Sequence, residues 1–173
     1  MDALAFWKTT VMDRVDFLER ILALFRHHSI RYCVLGGQAV NAYAEPVVSL
    51  DLDLAVTVEH IPKVESLLGQ QFHVKSFGHS LNVSTPDSDL RIQIQTDPRY
   101  SEFVKKAEEH TVLGLKLPVA RIEDVLQGKL WAVMDSSRRP SKRQKDLADI
   151  SRLLEARPDL RSQVPAEVLT RLF

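Results

Sequence analysis

The stretch VLGGQAVNAYAEPVVSLDLDLAV, from Val34 to Val56, places two adjacent glycines and two aspartates within one largely apolar segment. The segment RYCVL, residues 31–35, overlaps the beginning of this stretch and predicts a short buried strand that ends at Gly36-Gly37. QAVNAYA then predicts a short helix closed by Pro46, and LDLDLAVTV predicts a second strand with alternating side chains. The stretch therefore predicts the order strand, glycines, helix, acidic strand.

The acidic strand brings two carboxylates together. Side chains at i and i+2 of a strand point to the same face, about 6.5–7 Å apart, so Asp51 and Asp53 project together while Leu50, Leu52 and Leu54 are expected in the core. Two such carboxylates repel unless a cation lies between them, and Mg²⁺ prefers one or two carboxylates with phosphate oxygens. The alternative is an exposed sheet face with two solvated aspartates, although aspartate is depleted in strands.

The paired glycines come directly after a strand and before a helix. Glycines at such a junction let the backbone turn tightly and leave N–H groups free at the helix N-terminus, which favours phosphate binding. A plain turn explains two glycines equally well. The specific signal is their combination with Ser49-x-Asp51-x-Asp53 at the start of the next strand.

This combination resembles the GG…[S/T]-x-D-x-D signature of the DNA polymerase beta-like nucleotidyltransferase superfamily. It is most similar to the small bacterial group of minimal nucleotidyltransferases and abortive-infection toxins of toxin–antitoxin systems. The resemblance implies an α+β fold in which helices flank a mixed sheet. It also implies that Asp51 and Asp53 are catalytic and hold Mg²⁺ or Mn²⁺, and that Ser49 supports the loop before them.

The same resemblance implies a nucleotide site. Gly36, Gly37 and Gln38 would contact the phosphates of a nucleoside triphosphate, with Ser49 beside them. The later segment KLWAVMDSSRRPSKRQKDLADI is similar to the K…R…K-D-x-x-D helical segment of these proteins, which adds the basic residue Lys129. The similar regions cover most of residues 30–155.

Two lysines of this later segment are predicted to bind the nucleotide, Lys129 and Lys145. Lys129 falls on the apolar stripe of its helix, where a lysine either reaches a ligand or extends along the helix surface. Lys145 belongs to a local basic cluster that can meet a triphosphate or an RNA acceptor. The alternative for this cluster is a solvated helix face with a Lys145–Asp149 pair.

Two elements of the superfamily pattern are missing: the arginine that often follows the proline, since Val47 follows Pro46, and the third carboxylate on a neighbouring strand. LRIQIQTD should carry it, but the aligned positions Gln93 and Gln95 are amides. An amide oxygen can ligate a metal but cannot take up a proton at neutral pH. Asp97 and Asp89 have the right parity, yet Asp97 before Pro98 is typical of a helix N-cap and Asp89 of a turn.

Composition narrows the class of protein. The 173 residues predict one domain, with an α/β core with an N-terminal helix over residues 1–120 and a helical segment over 121–173. The formal net charge of zero gives no support for bulk attraction to nucleic acid or anionic lipid. A single cysteine and the lack of a long apolar run predict a soluble cytoplasmic protein without membrane contact. Trp7 and Trp131 are predicted as core or interface anchors.

The pattern along the chain predicts the remaining elements. A long amphipathic helix is expected over roughly residues 5–28, another from Pro98 through His110, and helices from Ile122 and Ser141 onward. FHVKSF, LNVST, LRIQIQT and TVLGLKLPV are each predicted as one strand.

Function follows from these residues and the resemblance. The sequence predicts a metal-dependent nucleotidyltransferase that transfers a nucleoside monophosphate to a hydroxyl of RNA, protein or a small molecule. The missing carboxylate supports a rival, a catalytically silent binding protein of the same fold that acts in a toxin–antitoxin pair. A cognate antitoxin or another helical protein is the expected partner. A third hypothesis is a structural α+β domain with two surface aspartates.

Overall fold

The structure, a computed structural model, describes residues 2–13 and 16–172. The α-helices are Ala3–Thr10 (α1), Phe17–His27 (α2), Gly36–Tyr43 (α3), Ile61–Gly69 (α4), Ser101–Lys106 (α5), Ile122–Met134 (α6), Pro140–Ala156 (α7) and Ala166–Leu169 (α8). The strands are Tyr32–Leu35 (β1), Asp51–Val56 (β2), His73–Phe77 (β3), Ser80–Ser84 (β4), Arg91–Gln95 (β5), Glu108–Val112 (β6) and Leu115–Val119 (β7). Short 3₁₀ turns occupy Val58–His60, Pro98–Tyr100 and Pro158–Gln163.

The strands form one sheet in the order β3-β4-β5-β2-β1-β7-β6. The β2–β5 and β1–β7 pairs are parallel, and the other neighbours are antiparallel. Helix α3 lies against β1 and β2, and α6 and α7 pack against α3 and against each other. The predicted α+β class, a mixed sheet flanked by helices with further helices at the C-terminal end, is confirmed.

Alternation along the central strands fixes which side chains enter the core. Leu52 and Leu54 of β2 are fully buried, whereas Asp51 and Asp53 between them are partly exposed. The prediction for Leu50 is wrong, because Leu50 precedes β2 and is 39% exposed. The strand begins one residue later than the apolar pattern indicates.

The predicted helix over 5–28 is wrong as a single element. α1 ends at Thr10, and the backbone of Met12 has a φ of 51°, which a continuous α-helix does not allow. A new helix starts at Phe17, whose N–H donates to the Asp13 carboxylate at 3.1 Å. Both helices bury apolar residues, and the spacing of these residues continues across the break, so the sequence pattern indicates a single helix. Residues 14 and 15 of the predicted helix lie outside the described part of the chain.

The segment 98–119 also departs from prediction. The helix predicted through His110 ends at Lys106, because residues 108–112 pair with β7 instead. TVLGLKLPV is not one strand but the end of β6, a turn and β7. Leu113 and Gly114 have φ values of 54° and 78°, as a two-residue hairpin turn requires.

Within the described ranges, none of the helices combines the length and apolar character needed to span a membrane.

Candidate active site

Gly36 and Asp53 meet where β1 passes into α3. Leu35, the last residue of β1, pairs with Asp53 of β2, so the next residue lies against the aspartate side chain. Gly36 has a φ of 62°, and a Cβ at this position would lie 2.0 Å from the Asp53 carboxylate oxygen Oδ2. Only glycine fits both constraints. A Cβ on Gly37 would meet open space, so the two glycines that the sequence presents alike differ in role.

The Asp53 carboxylate has no direct partner among the residues that the structure describes. Within the part of the chain that the structure describes, it accepts no hydrogen bond and forms no ion pair within 4 Å. Burial raises the pKa of Asp53; Lys129 opposes this rise and Asp51 adds to it. The arrangement is a half-buried anion with cations nearby but none in contact, which is chemically suited to receive a further cation.

Asp51 differs, because two cations already contact it. Its carboxylate lies 2.7 Å from Arg91 Nε and 3.8 Å from Lys142 Nζ. Both cationic side chains are exposed, Arg91 by 68%. These residues, with Asn82 and Ser84, line a cavity of about 350 Å³, which we call the side groove.

Ser49 and Gln38 support the start of β2. Ser49 Oγ accepts a hydrogen bond from the Asp51 N–H at 3.3 Å. The Ser49 carbonyl accepts from Trp7 Nε1 at 3.0 Å and from Gln38 Nε2 at 3.4 Å. Gln38 is 2% exposed. Ser49 and Gln38, both predicted to bind the nucleotide, therefore hold the start of β2 in place, and neither lines the cavity that contains Asp53.

A cleft of about 250 Å³, which we call the main cleft, opens above Asp53. It is lined by Leu35 and Gly36 at the junction of β1 and α3, by Asp53 of β2 and by residues of α6. Residues of β5, of the 3₁₀ turn after it, and Arg138 also line it. The complete lining is Leu35, Gly36, Asp53, Gln93, Gln95, Arg99, Tyr100, Asp124, Val125, Gly128, Lys129, Trp131, Ala132, Asp135, Arg138 and Asp146.

Lys129 lines the main cleft but is held by two buried aspartates. Its Nζ lies 3.0 Å from Asp146 Oδ1 and 2.7 Å from Asp149 Oδ2. Burial lowers the pKa of Lys129, but the carboxylates of Asp149 and Asp146 outweigh that effect and the pKa ends above its ordinary value. Arg138 Nε binds Asp146 Oδ2 at 2.8 Å, and Arg152 binds Asp149 Oδ1 at 2.8 Å.

Lys145, the other lysine predicted to bind nucleotide, is exposed on α7 and lines neither cavity. The Lys145–Asp149 pair is wrong, because Asp149 faces inward and pairs with Lys129 and Arg152. The cations that the structure brings toward Asp53 are Lys129, Lys142 and Arg138. The basic cluster was visible in the sequence, but which of its members faces the cleft depends on the rotation of α7.

Gln93, one of the two amides aligned with the missing third carboxylate, lies beside Asp53. β5 runs parallel to β2 with Gln93 directly beside Asp53. Asp97 accepts a hydrogen bond from the Arg99 N–H at 3.0 Å, so its interpretation as an N-cap is confirmed. Asp89 is exposed before β5. Among the described residues, no cluster of three or more histidine, cysteine, aspartate or glutamate side chains is arranged to hold a metal ion.

The aromatic end of the main cleft was not predicted. Trp7 is buried as expected, but Trp131 is half-buried and lines the cleft with Arg99 and Tyr100. Arg99 Cζ lies 4.3 Å from the centre of the Trp131 ring. Nothing in a single sequence links a 3₁₀ turn after β5 to a tryptophan on α6 thirty residues later.

Residues 50–173 match the model of the family described as nucleotidyl transferase AbiEii toxin, type IV TA system. The chain belongs to the AbiEii nucleotidyltransferase toxin family. No curated protein matches the sequence.

The matched range of this AbiEii-family chain contains both β2 aspartates, Lys129 and the buried carboxylates of α7. Gly36 and Gly37 precede it, so the contact between Gly36 and Asp53 is a finding of the structure alone.

Solved structures share the fold of the AbiEii-family chain. The antibiotic-resistance factor ANT(2'')-Ia is 14% identical with a TM-score of 0.57, and the alignment covers 90% of this chain and 86% of the ANT(2'')-Ia chain. The lincosamide antibiotic adenylyltransferase LnuA is 15% identical with a TM-score of 0.56, covering 82% and 99%. An antigenic nucleotidyltransferase-like protein from Paracoccidioides brasiliensis is 19% identical with a TM-score of 0.53, covering 96% and 85%. At these identities the likeness shows a nucleotidyltransferase fold.

Proposed function

We propose that this AbiEii-family chain is a metal-dependent nucleotidyltransferase that transfers a nucleoside monophosphate from a nucleoside triphosphate to a hydroxyl acceptor. The observation that carries the proposal is the Asp53 carboxylate. It lines the main cleft, without a hydrogen bond or ion pair among the described residues, and with three cations nearby. A half-buried anion left in this state is better explained by a ligand that brings a cation than by structural need.

The residues present fit a divalent ion. Asp51 and Asp53 share one face of β2, Gln93 adds an amide beside Asp53, and Mg²⁺ binds to one or two carboxylates completed by phosphate oxygens and water. Mg²⁺ or Mn²⁺ held there would neutralise charge on the reacting phosphate. Two protein carboxylates are enough for such a site because the substrate supplies the remaining oxygens.

The rest of the cleft supports phosphate binding. Arg138 lines the cleft, and Gly36 has no side chain between its backbone and the Asp53 carboxylate. Lys129 adds positive charge while it stays bound to Asp146 and Asp149. Such fixed charges stabilise the phosphoryl group as it is transferred, since catalysis of this step depends on positioning and electrostatics.

In the proposed reaction, the acceptor oxygen forms a bond to the α-phosphorus of the triphosphate. The bond from the α-phosphorus to the bridging oxygen breaks, pyrophosphate leaves, and the hydroxyl proton passes to solvent. Gln93 cannot take this proton. ANT(2'')-Ia has been solved with adenylyl-2''-tobramycin, so the fold accommodates a hydroxyl-bearing acceptor. For this chain the acceptor remains an RNA, a protein or a small molecule.

Isothermal titration tests the proposal directly. Titrating ATP, CTP, GTP and UTP with Mg²⁺ should give saturable binding of at least one nucleotide. Binding should fall at least about tenfold in Asp51→Asn and Asp53→Asn, because each substitution removes a charged metal ligand. Asp87→Asn, an exposed aspartate in a turn outside both cavities, is the matched control. Binding of no nucleotide, or equal binding by all variants, would refute the proposal.

A second function is favoured by Gln93, which stands directly beside Asp53 in place of a carboxylate. It is a catalytically silent protein that binds nucleotide through the same cleft. Gln93→Glu restores a carboxylate of nearly the same shape. If the wild type is silent for lack of a base, this variant should gain transfer of labelled nucleotide by about 10²-fold or more. If the wild type already transfers nucleotide, and Gln93→Glu transfers it at the same rate, the hypothesis of a catalytically silent protein would be wrong.

We also propose that a cognate antitoxin counteracts this chain, on the strength of its toxin family. Expression of the chain alone should slow growth of a bacterial host, and expression with the product of a neighbouring gene should restore it. Asp53→Asn should remove the toxicity if nucleotidyl transfer causes it. Equal toxicity of this variant would separate the toxic effect from the proposed chemistry.

A further inference from the structure

The main cleft has an aromatic end that phosphate binding does not use. Arg99 Cζ lies 4.3 Å from the centre of the Trp131 ring and 5.4 Å from that of Tyr100. The guanidinium therefore lies over the indole at the distance of a cation–π contact. Both side chains line the cleft.

This end of the cleft is rigidly supported. The ring of Phe103, which is 5% exposed, stacks with Trp131 at 5.6 Å and an interplanar angle of 2°. Tyr100 contacts both rings edge-on, at 5.4 Å from Phe103 and 5.7 Å from Trp131. Two packed rings thus hold the indole in one orientation, and the Arg99 guanidinium lies over it.

Arg99 itself stays accessible. Its side chain is 47% exposed, and its Nε lies 3.2 Å from Asp97 Oδ2, the carboxylate that also accepts the Arg99 N–H. The ion pair restrains the guanidinium while leaving part of its surface in the cleft. A restrained, planar and partly exposed cation is a good stacking surface for an aromatic ligand.

We propose that the nucleobase of the triphosphate stacks on the Arg99 guanidinium, which is supported by Trp131, while the phosphates extend toward Gly36 and Asp53. This inference rests on the proposed function and deepens it, because it assigns the ligand an aromatic base as well as a phosphate chain. The two ends belong to one cleft. Tyr100 lies near enough to Asp53 that, besides the larger effect of burial, the carboxylate raises the pKa of its phenol.

Stacking makes a different demand on Arg99 than phosphate binding does. A lysine keeps the charge that a phosphate needs but lacks the flat surface that a base needs. Every base has a π-face, so the stack should accept all four common bases. Inorganic tripolyphosphate offers the charge of a nucleotide without a base. Lysine substitution and tripolyphosphate together separate the two roles.

The test is titration of ATP and of tripolyphosphate, both with Mg²⁺, into the wild type, Arg99→Lys and Arg99→Ala. Both variants should bind ATP roughly 5- to 150-fold more weakly, the range given by loss of one base-stacking contact. Both should bind tripolyphosphate within about twofold of the wild type. Arg121→Ala is the matched control, since Arg121 is 48% exposed and paired to Glu108, but lies outside the cleft.

Three results would overturn the stack: unchanged ATP affinity in both Arg99 variants, equal losses for ATP and tripolyphosphate, or full ATP affinity in Arg99→Lys. Failure of the wild type to bind either ligand would overturn the proposed function as well. Binding of tripolyphosphate and ATP with no Arg99 dependence would leave the phosphate site standing and remove only the stack. The two failures are therefore distinguishable.

Trp131 gives a second measurement. The chain has two tryptophans, so a nitrogen–proton NMR spectrum shows two indole signals, assigned with Trp7→Phe. ATP should shift the Trp131 signal, and tripolyphosphate should leave it near its position in the free protein. An ATP-saturated protein whose Trp131 signal does not move would contradict the stack, even if Arg99 affected affinity.

Discussion

Two aspartate pairs in this molecule have opposite surroundings. Asp146 and Asp149 on α7 are buried, and their carboxylates contact Lys129, Arg138 and Arg152. On β2, Asp51 contacts only exposed cations, and Asp53 contacts none among the described residues. The α7 pair is neutralised by side chains of the protein itself, whereas the described residues supply no contacting cation to Asp53.

The difference supports our proposal that the α7 pair serves the fold and the β2 pair a ligand. Charges taken out of water need partners at close range, and removing one partner leaves the other uncompensated. The α7 pair joins α6 to α7 in this way. Burial, by contrast, raises the pKa of Asp53, so the ionised carboxylate opposes folding. Residues kept in an unfavourable state within a cleft are typical of functional sites.

The largest effect is expected from Asp146→Asn. This change leaves Lys129 and Arg138 without one buried anion, and we expect the free energy of unfolding to fall by roughly 3–5 kcal/mol. Urea denaturation measures it. Asp159→Asn, which removes an exposed partner of Arg157, should leave the midpoint unchanged. A loss from Asp146→Asn no larger than that of the control would erase the contrast between the pairs.

Gly36→Ala and Gly37→Ala form a matched pair on one turn of helix. Alanine at 36 would place Cβ 2.0 Å from Asp53 Oδ2 at a φ of 62°, so the free energy of unfolding should fall by about 2–3 kcal/mol. Alanine at 37 meets open space, and stability should stay equal or rise by up to about 1 kcal/mol. Thermal denaturation distinguishes them. Equal melting temperatures for the two variants would show that Asp53 does not press against Gly36.

Asp53→Asn should stabilise the metal-free protein by roughly 0.5–2 kcal/mol at neutral pH. The pKa of Asp53 is raised in the fold, so its ionised form opposes folding. The stability that the protonated form contributes is complete below the unfolded pKa and is lost as pH rises through the folded pKa. The advantage of the variant should therefore grow with rising pH across this window. Denaturation over a pH series measures it, and a variant less stable at every pH would contradict the account.

Arg91→Ala should tighten binding of Mn²⁺ by about two- to fivefold. The guanidinium competes with the metal ion for Asp51, but the pair is exposed and therefore weak. Titration calorimetry with Mn²⁺ measures the change, with Arg121→Ala as the control. Weaker Mn²⁺ binding in Arg91→Ala would mean that Arg91 helps the site instead of competing with the ion.

Much of this arrangement was predictable because strand alternation is local. LDLDLAV and LRIQIQT each place apolar side chains on one face, which correctly located the β2 aspartates and pointed to Gln93 or Gln95 beside them; the structure selects Gln93. The order strand, glycines, helix was also visible, although only the structure shows that Gly36 alone is constrained. These features depend on residues close together in sequence.

The remaining features depend on distant contacts. Lys129 looked free to reach a ligand because its two anions lie 17 and 20 positions away on another helix. The break between α1 and α2 was hidden by apolar spacing that both helices share. The pairing of Arg99 with Trp131 joins a turn to a helix across the cleft. Tertiary packing determines such contacts, and the spacing of apolar residues along the sequence does not predict them.

The central claim is that Asp53, with Asp51, receives a cation from outside the protein. The most direct measurement is electron paramagnetic resonance of Mn²⁺ titrated with the wild type and Asp53→Asn, in the presence of ATP. The account predicts that the wild type removes Mn²⁺ from the free pool beyond what ATP alone does, and that Asp53→Asn loses this binding by about tenfold or more. Equal Mn²⁺ binding by the two proteins would contradict it.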